Sequence, residues 1–206
     1  DTANYRKKIK EILQEFTNVK VVVVENEEVN KSYRNWSLTK LGDYLISLKI
    51  ANEVCHEAGV KCTNGGLMLD ELKSLTKRWI DAEMPLGLMS GADFLNKLFK
   101  GVQYTYETKG LNPNYEDKRA KTSWLIDQYN AIGIDYINFH LYFPLAYRGS
   151  GIKADGITTA EGFKEIIFYL TSRTNIPIIS NEIGAINSDA ATVANLIEAY
   201  KKEGLD

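Results

Sequence analysis

Two short polar stretches carry the residues best suited to chemistry. Glu25-Asn26-Glu27-Glu28 follows directly on Val21-Val22-Val23-Val24, and Asn181-Glu182 follows directly on Ile176-Pro177-Ile178-Ile179-Ser180. Four valines in a row demand burial and carboxylates resist it, so each junction marks a place where a buried strand meets the surface. A glutamate at each junction suits glycosidic-bond cleavage. That reaction needs one carboxylic acid to protonate the leaving oxygen and one carboxylate for the anomeric carbon. The environments must differ, so that one group keeps its proton while the other stays charged. The bland alternatives are a solvated strand-end acid for Glu27 and an acid on the approach to a helix for Glu182. Glu25 and Glu28 read as rim residues or as supports behind the first two.

Elements that could position these groups follow from the spacing of apolar residues. Tyr5, Ile9, Ile12, Leu13 and Phe16 recur at three- and four-residue steps and predict an amphipathic helix. Residues 19–24, VKVVVV, are apolar without alternation, the habit of a strand buried on both faces of a parallel sheet. A helix is expected over about 39–58, with Leu41, Leu45, Leu48, Ala51 and Cys55 inward and Gly59 at its C-terminal end. Further strands are expected over 60–63, 135–139 and 176–180. The long interval before the third strand contains the helical patterns LDELKSLTKRWIDA, SGADFLNKLFKG and KRAKTSWLIDQYNAIG. One crossover helix needs less chain, so a helical insertion is expected at about 70–121. A helix opening with the capping box Thr158-Thr159-Ala160-Glu161 carries the stripe Phe163, Ile166, Ile167 and Leu170, and a last helix spans about 188–203. This alternation predicts an α/β fold whose parallel strands run in chain order with helices outside.

Polar residues gather where the strands end. The second strand runs into Thr63-Asn64 and the third ends in His140-Leu141-Tyr142. In parallel α/β architectures these ends lie on one face, where active sites are built. Residues far apart in sequence thereby converge.

Three of these motifs together resemble a known group of enzymes. Asn26-Glu27 after VVVV, His140-x-Tyr142 after DYINF, and Asn181-Glu182-Ile183-Gly184 after IPIIS are similar to motifs of the retaining (β/α)8-barrel glycoside hydrolases. The clan meant is the one with its acid/base and nucleophile at the ends of strands four and seven, which includes cellulase-, mannanase- and xylosidase-like enzymes. The resemblance runs from the first helix to the last. It implies a TIM-barrel fold of which residues 1–206 form a single, partial domain covering about strands four to seven. By the same resemblance Glu27 is the acid/base, Glu182 the nucleophile and Asn26 the residue that binds the sugar 2-hydroxyl. Tyr142 hydrogen-bonds to the nucleophile and His140 lines the site. A core histidine and an ordinary barrel-mouth aromatic remain open for those last two. Asn64 is a looser candidate for a rim contact, and Trp36, Phe143 and Tyr147 are candidate platforms for sugar rings. Strands one to three and strand eight have no counterpart, nor do the arginine and tryptophan the clan supplies from them. A longer polypeptide or a second chain is therefore expected to complete the barrel. The implied partner is a carbohydrate, a β-linked oligosaccharide or polysaccharide, and no cofactor or metal is implied.

Two other classes compete. One is an inactive carbohydrate-binding relative, against which the presence of both glutamates counts. The other is a magnesium-dependent barrel enzyme with Glu25, Glu27 and Glu182 as ligands.

Bulk properties narrow the field further. The 206 residues suffice for one domain with a real core, and 25 basic residues against 27 acidic ones leave a net charge of -2. That balance gives no electrostatic case for nucleic acid. No apolar run approaches the roughly 20 residues needed to span a bilayer. DTANYRKKIK lacks the apolar core of a signal peptide, although the implied substrate makes a secreted or periplasmic setting suspected. Cys55 and Cys62 read as buried thiols. The sequons at Asn30 and Asn35 read as chance, since sugars there would block the mouth. His56 is expected on the solvent side of its helix.

Overall fold

The computed structural model describes residues 1–29, 38–68, 113–143, 160–185, 190–202 and 205. Helix α1 (Thr2–Glu15) leads to β1 (Val21–Val24), then α2 (Leu38–Glu57), β2 (Lys61–Asn64) and α3 (Pro113–Ile132). After these come β3 (Ile137–Phe143), α4 (Ala160–Thr171), β4 (Ile178–Ala185) and α5 (Ala190–Lys202). The first two strands pair in parallel from Val21↔Lys61 to Val24↔Asn64. The last two pair in parallel from Ile137↔Ile178 to Phe143↔Ala185. Parallel bridges Thr63↔Tyr136 and Leu67↔Phe139 join the two ladders. The strands are thus parallel neighbours in chain order, as the alternation predicts. Among the described residues they form two joined ladders and not a closed barrel.

Local chemistry explains the element ends. The Asp1 carboxylate accepts from Ala3 N at 3.0 Å and Asn4 N at 3.4 Å, which caps α1. Gly59 and Gly133 take φ of +70° and +74° just beyond α2 and α3, where a left-handed residue closes a helix at no steric cost. Asn52 Nδ2 donates to the carbonyls of Ile132 and Gly133, tying α2 to the end of α3. Pro113 opens α3, a position where its missing N–H costs nothing. Residues 113–121, expected within the insertion, therefore belong to the crossover helix itself. The rest of the expected insertion lies outside the described residues, as do the capping box threonines and the sequons at Asn30 and Asn35.

Burial follows the predicted pattern with two exceptions. Of the α2 residues expected inward, Leu41, Leu48, Ala51 and Cys55 are buried and Leu45 is half-buried; Leu125, Ile126 and Tyr129 of α3 are buried too. Both cysteines are buried free thiols, and His56 is exposed. On α1, however, only Ile9 is fully buried, while Ile12 and Phe16 remain 51% and 52% exposed. This helix rests on α2, to which Arg6 is tied through Glu53 and Glu57 and Lys10 through Glu57, so its stripe is covered on one side only. Strand β1 is likewise not buried on both faces. Val21 is 37% exposed and burial is complete only at Val24, because β1 is paired along one edge among the described residues. The doubly buried strand is β3, where Ile137 to Leu141 are all inaccessible.

At the opposite end of the sheet from the polar motifs, Asp135 clasps β2 to the start of β3. Its carboxylate accepts from Cys62 N at 2.9 Å and Lys61 Nζ at 2.7 Å, and meets His56 Nε2 at 2.8 Å.

Candidate active site

Glu27, just beyond β1, comes together with His140 and Glu182, which lie inside β3 and β4 because both strands run on past the ends expected at 139 and 180. His140 Nδ1 stands 3.2 Å from Glu27 Oε1 and 2.8 Å from Glu182 Oε2. One oxygen of each carboxylate and one ring nitrogen lie within 4.8 Å of one another. The imidazole is 1% exposed, Glu27 14% and Glu182 43%, so the cluster opens to solvent on the Glu182 side. His140 is therefore both a buried residue and a member of the site. A ring N–H at Nδ1 has two carboxylates to donate to. The other ring nitrogen, Nε2, is buried without a hydrogen-bond partner among the described residues.

A β-bulge aims Glu182. The register runs Asn138↔Ile179 and then His140↔Glu182, so Phe139 alone faces Ser180 and Asn181 together. Side chains alternate along a strand, and a one-residue slip moves every later side chain to the other face. Without the extra residue, Asn181 would stand opposite His140 and Glu182 would turn away from the cluster. The bulge is held by the Ser180 hydroxyl, which donates to Phe139 O at 2.6 Å and approaches Glu182 O at 3.1 Å. Asn138 Oδ1 accepts from Asn181 N at 3.0 Å. Strand β4 thus continues through the polar motif, whereas the apolar run alone placed its end at Ser180.

Beneath the cluster runs a buried polar chain. Glu28 is fully inaccessible, and its Oε1 accepts from Tyr129 Oη and from Asn64 Nδ2, the latter at 2.9 Å. Asn64 Nδ2 also donates to Asn138 O at 2.8 Å, and Asn64 Oδ1 accepts from Asn138 N at 2.7 Å. Tyr44 Oη accepts from Gly65 N at 3.3 Å. Burial drives the Glu28 carboxyl above the ordinary glutamate range, against the pull of the Tyr129 and Asn64 hydrogen bonds. Burial likewise raises the Tyr44 and Tyr129 phenols, and a charge on Glu28 would raise them further. Asn64 is thus not a rim contact. It lies at the bottom of the site, because its amide and carbonyl oxygen are committed to Glu28 and Asn138.

The turn after β1 is strained where it presents its carboxylates. Glu25 and Glu27 take φ of +68° and +45°, a region that costs a side-chain-bearing residue about 1–2 kcal/mol. Such outliers persist where surrounding contacts over-determine them, often at functional sites. Here Glu27 N donates to Gly65 O at 3.1 Å. Two glycines make room below. A methyl group on Gly65 would stand 2.9 Å from Val24 O and 3.0 Å from Glu28 Oε2. A methyl group on Gly66 would stand 2.2 Å from His140 Nε2.

The remaining sequence candidates are placed less closely. Asn26 is exposed beside Glu27. Tyr142 pairs with Gly184 through the β3–β4 ladder, which describes its backbone only, and the same holds for Phe143. Trp36 and Tyr147 lie outside the described residues. Glu25 is exposed and does not belong to the cluster. Two carboxylates and an imidazole are ligand types for a divalent ion. A metal on Nδ1, however, would move the ring proton to Nε2, which has no acceptor among the described residues, whereas metal-bound histidines ordinarily have one there. Among the described residues the arrangement suits shared donation from Nδ1 to the two carboxylates. Comparison of the chain with protein-family models, curated proteins and solved structures finds no match.

Proposed function

We propose that this chain carries the catalytic face of a retaining glycoside hydrolase acting on a β-linked oligosaccharide or polysaccharide. The observation that carries the reading is the meeting of Glu27 and Glu182 across His140, with carboxylate oxygens within 4.8 Å. Retaining enzymes hold their two carboxyl groups about 5–5.5 Å apart, whereas inverting enzymes leave about 6.5–9.5 Å for a water. The order of parallel strands, with the acids at one end, agrees with the barrel architecture that this clan uses.

In this mechanism Glu182 attacks the anomeric carbon while Glu27 gives its proton to the departing oxygen, breaking the glycosidic bond. Glu27, now ionised, takes a proton from water as that water's oxygen displaces Glu182. Free sugar and the starting state result. His140 orients both carboxylates through Nδ1, more closely at Glu182. Asn26, exposed beside Glu27, is the proposed partner of the substrate 2-hydroxyl.

The test is run on the full-length protein with an activated aryl glycoside. Glu182→Gln should abolish turnover on every substrate. Glu27→Ala should lose about 10²–10⁴-fold on natural sugars but still release the activated aryl group, with azide restoring turnover. Equal loss in both variants without azide rescue rejects the assignment. Carbohydrate binding without hydrolysis by the unaltered protein would favour the inactive relative, and loss of activity to a chelator would favour the magnesium enzyme.

A further inference from the structure

We propose that Asn138 is the positioning residue that sets the separation of Glu27 and Glu182, acting through the β4 bulge; the inference rests on the hydrolase reading for its catalytic consequence. Its side chain and backbone join the two halves of the site. On one side Asn138 N and O are bound by the Asn64 side chain, which in turn holds Glu28, the residue next to Glu27. On the other, Asn138 Oδ1 holds the N–H of Asn181, the residue before Glu182. One hydrogen-bonded chain, Glu28–Asn64–Asn138–Asn181, buried up to Asn138 and exposed at Asn181, therefore crosses from the turn after β1 through β2 and β3 to β4 and ends one residue from each glutamate.

This chain has little freedom. Glu28, Asn64 and Asn138 are all fully buried, so any group left unpaired pays the desolvation cost in full. Asn138 lies beside the irregularity itself, since pairing is regular at Asn138↔Ile179 and resumes at His140↔Glu182. Its side-chain oxygen satisfies the N–H of a bulge residue, a group that the ladder leaves over. If that acceptor is removed, the bulge loses its main-chain support. Closing it by one residue brings Asn181 opposite His140 and turns Glu182 out of the cluster. The other support, Ser180 Oγ on Phe139 O, is local to the bulge and does not reach Glu27.

Two readouts on the full-length protein separate this proposal from the hydrolase reading. The first is the His140 Nδ1–H resonance in ¹⁵N-labelled protein, which reports the two carboxylates without any substrate. The second is steady-state kinetics on an activated aryl glycoside. Asn138→Ala should shift the resonance strongly and lower kcat about 10²-fold with KM nearly unchanged, since misplacement of about 1 Å costs that much. Asn138→Asp, which burial keeps neutral, retains the Oδ1 acceptor and can give its O–H to Asn64 O in place of the amide Nδ2 (3.4 Å), so in mildly acidic buffer it should restore the resonance and most of kcat. If Asn138→Ala does not fold, Ser180→Ala loosens the same bulge more gently and should move both readouts in the same direction. An unmoved resonance in the folded Asn138 or Ser180 variant, or a loss confined to KM, overturns the proposal. So does a failure of Asn138→Asp to recover the signal. If the unaltered protein hydrolyses no glycoside while the resonance still follows Asn138, the hydrolase reading falls and the positioning role stands.

Discussion

Gly66 lies flat against His140, so close that a methyl group on it would stand 2.2 Å from the buried Nε2. Its φ of +111° is a conformation that side-chain-bearing residues rarely adopt. Gly66→Ala must therefore either displace the imidazole from between the two carboxylates or distort the turn. The expected loss is about 2–4 kcal/mol of stability from overpacking and backbone strain together, read by denaturant unfolding. Activity should fall in the fraction that remains folded. A variant as stable and active as the parent would show that the ring has room to move.

Glu28 gives the site a pH dependence of stability whose sign is fixed by burial. Desolvation raises its folded midpoint, and the hydrogen bonds from Tyr129 and Asn64 only partly offset this. Between the ordinary glutamate range and that raised midpoint, the unfolded chain loses its proton while the folded protein keeps it. Stability contributed by the neutral acid is complete at low pH and falls as pH rises through this window. Both hydrogen bonds enter Oε1, which leaves Oε2 for the proton. Glu28→Gln keeps the Oε1 acceptor and cannot ionise, so its unfolding free energy should decline less steeply with pH. Parallel curves for the two proteins would mean that Glu28 is charged in the fold.

Asp135 should behave in the opposite sense. Burial pushes it upward, but Lys61, the Cys62 N–H and His56 together outweigh burial and hold it below the ordinary range. A depressed acid contributes stability above its unfolded midpoint, and that contribution disappears as pH falls through the folded one. Lys61 and His56 are well exposed and screened, so the Cys62 N–H should account for most of the effect. Asp135→Asn is expected to cost about 1–2 kcal/mol near neutrality and little in acid, measured by thermal unfolding at several pH values. The residue lies at the far end of the sheet from Glu27 and Glu182. Its loss should leave the activity of the folded fraction unchanged.

The division of labour between the two glutamates is checked by trapping. A slow fluorinated glycoside should leave its sugar on Glu182 in the unaltered protein, and the Glu182→Gln variant should stay unlabelled. Peptide mapping by mass spectrometry reads the result. A sugar found on Glu27 instead would reverse the assignment and leave the class intact.

The elements were legible because helix and strand periodicity is a local property of side-chain order. VVVV declares a strand, IPII marks the start of one that begins only at Ile178, Leu41 to Cys55 declares a helix, and parallel order follows from their alternation. The convergence of Glu27, His140 and Glu182 followed from the same order, although His140 and Glu182 lie inside β3 and β4 and not at their ends. What no local pattern carried was depth and aim. Asn64 reads as a rim residue because polar side chains usually stay wet, yet it lies buried once Glu28 and Asn138 take up its hydrogen bonds. Glu28 differs from its neighbour Glu27 in nothing the composition reveals, but the turn sends one into the site and the other beneath it. The exposed stripe of α1 and the partial burial of β1 depend on which neighbours lie beside them. The bulge at Ser180-Asn181 is the sharpest case. Hydrophobicity specifies which face of a strand is buried but not where one residue is inserted, and that insertion is settled only when the Asn138 amide of β3 meets the N–H of Asn181.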